Sequence, residues 1–104
     1  MSTTQLNTAA GSFRIDLQGP DDAPVLVFSN SLGTTLDMWA QQAQALRGRY
    51  RVLRYDTRGH GGSVCSPGPY RFAQLGQDVL AILDAMEIGQ AHFCGISMGG
   101  LTGL

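Results

Sequence analysis

No lysine occurs among the 104 residues, and seven arginines stand against eight acidic side chains for a net charge of -1. Without a surplus of cations there is no field to hold a phosphate backbone or an anionic lipid surface, so nucleic acid and membrane are excluded as expected partners. Charged residues are only 14% of the chain and hydrophobic ones 43%, a composition that packs a core and excludes disorder for most of the length. No apolar run approaches the ~20 residues that cross a bilayer. The opening MSTTQLNTAA carries neither a cationic start with an apolar run nor an arginine-rich amphipathic pattern, so a cytoplasmic location is expected. Cysteine is scarce too: Cys65 and Cys94 lack C-x-x-C spacing and read as buried thiols rather than a disulfide or a metal site. A chain this short builds one small domain, which excludes a two-domain enzyme.

Glycine, by contrast, is abundant, with 14 copies that gather after strand-like runs rather than in a linker. Phe13, Ile15 and Leu17 alternate with polar neighbours, the period of a half-buried strand, expected at an edge. After a Pro and Asp turn, Val25-Leu26-Val27-Phe28 is a continuous apolar run, as in a central strand covered on both faces. Leu36, Trp39, Ala43 and Leu46 then recur at helical spacing, with Gly48 closing that helix. The pattern repeats with a strand over 51–55, a glycine-rich loop over 56–69 and a helical stripe of Phe72, Leu75, Val79, Ile82 and Met86, punctuated by Gly89. A third strand over 91–95 leads into a last element barely begun. Alternating strands and helices predict an α/β fold with a mostly parallel sheet and helices on both faces.

The most specific feature is Gly95-Ile96-Ser97-Met98-Gly99, a G-x-S-x-G between an apolar strand and a helix start. A serine at the apex of so sharp a turn needs neighbours without bulk two residues before and after it. Its hydroxyl then leaves the carboxyl end of the sheet, where the backbone N–H of Met98 and the helix start favour a developing oxyanion. A second donor is expected from the loop Ser29-Asn30-Ser31-Leu32-Gly33, with the Ser31 N–H first and Leu32 as its neighbouring choice. Asp56-Thr57-Arg58-Gly59-His60-Gly61-Gly62-Ser63 forms a third polar cluster. His60 there reads as a loop brace rather than a general base, and His92, inside a strand, as a core or half-buried residue. Arg58 would either meet an anionic substrate group or tie the loop to Asp56, the tie being favoured. Leu32, Trp39 and Arg58 are the candidate substrate-binding residues. No phosphate-cradling G-x-x-x-x-G-K-[ST] or G-x-G-x-x-G is present.

Taken together these clusters resemble the α/β-hydrolase superfamily from about Phe13 to Leu104. The run Ser29-Asn30-Ser31-Leu32-Gly33-Thr34, Asp37-Met38-Trp39, the segment from Arg54 to Gly61, Gly68-Pro69-Tyr70, Gln74-Leu75-Gly76 and the segment from Ala91 to Gly100 resemble bacterial 3-oxoadipate enol-lactonases. The resemblance implies hydrolysis of 3-oxoadipate enol-lactone to 3-oxoadipate in protocatechuate and catechol breakdown, the β-ketoadipate pathway, with a small lactone as substrate and no cofactor or metal. Ser97 would be the nucleophile, the Ser31 and Met98 N–H groups the oxyanion donors, and a histidine the base. In this fold the order is Ser, then Asp or Glu, then His, yet only seven residues follow Ser97. The chain is therefore expected to be the N-terminal part of a longer domain, nearly inactive alone, with an exposed sheet edge at the 91–94 strand. Rival readings are another esterase or lactonase of this fold, and a non-catalytic half-domain that binds a partner through that edge.

Overall fold

The computed structural model describes residues 3–31, 33–63 and 71–103. Strands β1 (Thr4–Thr8), β2 (Gly11–Gln18) and β3 (Val25–Ser29) come first, followed by a single 3₁₀ turn (Leu36–Trp39) that runs into helix α1 (Ala40–Leu46). Strand β4 (Arg51–Tyr55), helix α2 (Phe72–Ala85), strand β5 (His92–Gly95) and the short helix α3 (Met98–Thr102) complete the order. The strands form one five-stranded sheet in the order β1-β2-β4-β3-β5.

The two ends of that sheet differ. β1 pairs antiparallel with β2, and β2 antiparallel with β4, whereas β3 runs parallel to both β4 and β5. The sheet is thus mixed, and the strand expected at an edge lies second from it, covered by β1. Only Leu6 gives β1 (TQLNT) an apolar side chain, so its hydrophobic signal is too thin to read. A hairpin closes it onto β2, with Gly11 at φ 131, a conformation glycine adopts without steric cost.

Strand alternation divides the core between the two faces. Phe13 and Ile15 of β2, Val25 and Val27 of β3, and Leu53 and Tyr55 of β4 pack with Val79 and Ile82 of α2 on one face. Phe28 and Val52 pack with Trp39 and Ala43 on the other, so helices cover both faces as the sequence pattern predicts. Burying each such large apolar side chain stabilises the fold by about 1.5–3 kcal/mol. The second face also buries a charge pair. Arg54 donates through Nε (3.1 Å) and Nη2 (2.6 Å) to Asp16 Oδ2, and both side chains are 2% exposed.

β5 forms the exposed sheet edge that the sequence predicts, but its side chains are more open than expected. His92, Phe93 and Cys94 are exposed, because β5 has a partner on only one side; His92 stands edge-on to Tyr50 with ring centroids 6.4 Å apart. Cys94 is therefore not a buried thiol, and Cys65, like Gly68 to Tyr70, lies outside the described residues. Phe72, expected in the buried stripe of α2, is also exposed and lines an apolar groove with Leu80, Phe93 and Ala91. No helix among the described residues is long and apolar enough to cross a membrane.

Candidate active site

β5 ends at Gly95 and α3 begins at Met98, so two residues turn the chain from strand to helix. Ser97 makes that turn with φ at 55, a left-handed conformation that costs an L-residue about 1–3 kcal/mol and persists only where the surroundings enforce it. The enforcement is visible on both sides. A methyl group on Gly95 would lie under 3.0 Å from Gly99 and Gly100 backbone, and one on Gly99 would lie under 3.0 Å from the carbonyls of Ser29 and Asn30. Glycine is needed at both positions because backbone, which cannot swing aside, occupies the space. The Ile96 N–H donates to Ser29 O at 3.3 Å and the Gly99 N–H to Ile96 O at 3.0 Å, fastening the turn to the end of β3. Ser97 itself is exposed.

The loop that leaves β3 therefore lies against this turn, and buried groups fix its course. Asn30 is fully buried; its Nδ2 donates to Tyr55 O and its Oδ1 accepts from Trp39 Nε1, both at 2.8 Å. Just beneath, Ser29 Oγ and Tyr55 Oη share a 2.7 Å hydrogen bond. Burial pushes the Tyr55 hydroxyl up to about 12, against the lowering effect of Ser29. At Ser31 the carbonyl accepts from Thr34 Oγ1 at 2.7 Å and from the Thr34 N–H at 3.4 Å. The Ser31 N–H has no acceptor among the described residues. The Met98 N–H stands at the first position of α3, where a helix offers no internal acceptor.

The 56–63 loop supports the same end of the sheet. Asp56, fully buried, accepts from the Leu36 N–H (2.7 Å), the Gly62 N–H (2.9 Å) and Arg14 Nη1 (3.1 Å). The hydrogen bond to Asp56 in turn raises the Arg14 pKa above its ordinary value. Arg58 does not tie the loop to Asp56. Its Nε and Nη2 grip the two oxygens of Asp78 on α2 at 2.8 Å each, and Nη2 also reaches Ala10 O at 2.9 Å. That fork consumes a cation which the sequence offered as a substrate contact. Trp39 is likewise spent on structure: 4% exposed, it stacks on Phe28 at 4.4 Å and holds Asn30. Leu32 lies outside the described residues. His60 braces two loops. Its Nε2 accepts from the Gly33 N–H at 3.0 Å, so the ring proton resides on Nδ1, 3.1 Å from Arg58 O.

Sequence reasoning missed Asn30 as the clamp of this loop. Its one signal is an amide directly behind an apolar strand, where a buried polar residue must find partners for every hydrogen-bonding group.

A family model for the alpha/beta hydrolase fold matches residues 24–104, and the chain belongs to that family. It is 61% identical over 85 residues to 3-oxoadipate enol-lactonase 2 of Acinetobacter baylyi, covering 82% of this chain and 32% of the relative. It is 53% identical over 98 residues to 3-oxoadipate enol-lactonase 1 of the same organism, covering 94% of this chain and 36% of the relative. The crystal structure of the enol-lactonase from Burkholderia xenovorans superposes with a TM-score of 0.92 at 49% identity, over 96% of this chain and 39% of that one. The chain thus spans about a third of the length of the curated relatives it matches.

Proposed function

We propose that this chain is the nucleophile-bearing segment of a serine hydrolase that opens an enol-lactone, with 3-oxoadipate enol-lactone as substrate. The observation that carries the reading is Ser97, exposed and held at φ 55 between two glycines that admit no side chain. Its placement against the end of β3 adds support, as does the 61% identity to a 3-oxoadipate enol-lactonase. In the proposed reaction Ser97 Oγ adds to the lactone carbonyl carbon while its proton passes to a base, and the negative charge that forms on the carbonyl oxygen falls to the Ser31 and Met98 N–H groups. The ring C–O bond then breaks to give an enolate that stays tethered in the acyl-enzyme, needs little acid assistance and takes up the proton from the base as it becomes the ketone. Water cleaves the acyl-enzyme in the second half and frees the carboxylate.

The base belongs, in this reading, to polypeptide beyond Leu104, in keeping with relatives roughly two and a half times as long. His60 is occupied by Gly33 and Arg58, and His92 sits on the β5 edge beside Tyr50. The reading places the enzyme in breakdown of aromatic compounds. Its test is hydrolysis of the enol-lactone by the product of the full coding sequence, followed as loss of the substrate's ultraviolet absorbance. Turnover that drops by at least about 10³-fold in Ser97→Ala is the expected result. Turnover of simple aryl esters with none of the enol-lactone would overturn the substrate, and an undiminished Ser97→Ala variant would overturn the nucleophile.

A further inference from the structure

The loop between Asn30 and Thr34 carries the Ser31 N–H and is held at three points among the described residues. Asn30 fixes its start through Tyr55 and Trp39, Thr34 Oγ1 ties its end to Ser31 O at 2.7 Å and to Met38 Sδ at 3.1 Å, and between them the Gly33 N–H donates to His60 Nε2 at 3.0 Å. Gly33 has φ at 78, and among the described residues no neighbour lies within 4 Å of where a Cβ would sit. The imidazole, in contrast, is fastened on every other side. Its backbone N–H donates to Thr57 O at 2.9 Å, its carbonyl accepts from the Ser63 N–H at 3.1 Å, and Nδ1 meets Arg58 O at 3.1 Å. Arg58 is itself locked to Asp78 of α2 and to Ala10. A rigid chain thus runs from α2 through Arg58 to one lone pair on Nε2, aimed at the Gly33 N–H.

We propose that His60 is a positioning residue that sets the Ser31 N–H for oxyanion stabilisation by holding Gly33, two residues further along the same loop. The inference rests on the hydrolytic reading above, since it gives the brace a catalytic purpose. An oxyanion donor works only within a few tenths of an ångström of its required place, because its hydrogen bond is short and directional. His60 touches no reacting atom; it adds a hold at Gly33 that neither Asn30 nor Thr34 supplies.

The test compares wild type, His60→Leu and His60→Gln in the product of the full coding sequence, with 4-nitrophenyl acetate as a substrate probe. Leucine removes the acceptor, while glutamine presents Oε1 where Nε2 stood. His60→Leu is expected to lower kcat about 10- to 100-fold, below the ~10²–10³ lost when an oxyanion donor is deleted, with KM changed less than about twofold. His60→Gln is expected to recover most of that loss. A wild-type kcat in His60→Leu, equal losses in both variants, or a loss confined to KM would each overturn the proposal. Should His60→Leu fail to fold, the through-hydrogen-bond ¹⁵N–¹⁵N coupling between Gly33 and His60 Nε2 in the wild type decides, together with the kcat of His60→Gln. Absence of that coupling overturns the brace whatever the activity. A wild type that hydrolyses no ester and takes no phosphonate at Ser97, yet shows the coupling, overturns the hydrolytic reading and leaves the brace standing.

Discussion

At Gly99 one methyl group separates a chain that can turn from one that cannot. Alanine there would drive into the carbonyls of Ser29 and Asn30, which belong to the central strand and its clamped loop and have nowhere to move. Gly99→Ala is expected to cost about 3 kcal/mol or more in urea unfolding. Gly89→Ala is the control: open space surrounds that position and its φ is not left-handed, so it should stabilise by about 0.4–1 kcal/mol through the unfolded chain. Tyr55 supplies a pH dependence. Its hydroxyl is raised by burial to about 12 from an ordinary 10.0. Below pH 10 the phenol is neutral in both states and its contribution is fully retained. Between 10 and 12 the unfolded chain ionises first, so stability falls with rising pH at up to about 1.4 kcal/mol per unit. Tyr55→Phe should remove that part of the slope, seen as a flatter melting temperature over pH 10–12.

Among the elements, α2 shows how a boundary can be visible in sequence and still be placed two residues off. Gly89 reads as the stop, yet the left-handed residue is Glu87, at φ 58. The Ile88 N–H reaches back to Leu83 O at 2.8 Å and the Glu87 N–H to Asp84 O at 3.0 Å, satisfying carbonyls that the helix end leaves open. Ile88 is then buried at 8% exposure against the α2 face of the core, and that burial sets where the chain turns. Glu87→Gly is expected to stabilise by about 0.5–1 kcal/mol, measured by chemical unfolding, since glycine adopts the left-handed region without the Cβ penalty. Strand β3 was legible because it is a nearly continuous apolar run, β4 because Val52, Leu53 and Tyr55 gather in five residues, and β2 because it alternates. β1 was not: four of its five side chains are polar, and its pairing with β2 comes from backbone hydrogen bonds that leave no hydrophobic trace.

Over the whole molecule, the serine turn and its two glycines were legible because backbone crowding there tolerates one residue type. The fates of Trp39 and Arg58 were not, because whether an indole or a guanidinium faces a substrate or a core depends on partners distant in sequence, here Asn30 and Asp78. The same holds for His92 and Cys94, whose exposure follows from the place of β5 at the sheet margin. Phe72, Leu80, Phe93 and Ile96 are 38–53% exposed on that side, so the 104-residue chain by itself should self-associate. Sedimentation velocity should show mass rising with concentration, and Phe93→Glu with Leu80→Glu should reverse it.

The central claim is that Ser97 is the nucleophile, and mass-spectrometric mapping after reaction of the full coding-sequence product with a fluorophosphonate tests it most directly. A single phosphonyl adduct on Ser97, lost in Ser97→Ala, is the expected result. An adduct on any other residue, or none while the protein still hydrolyses the enol-lactone, would contradict it.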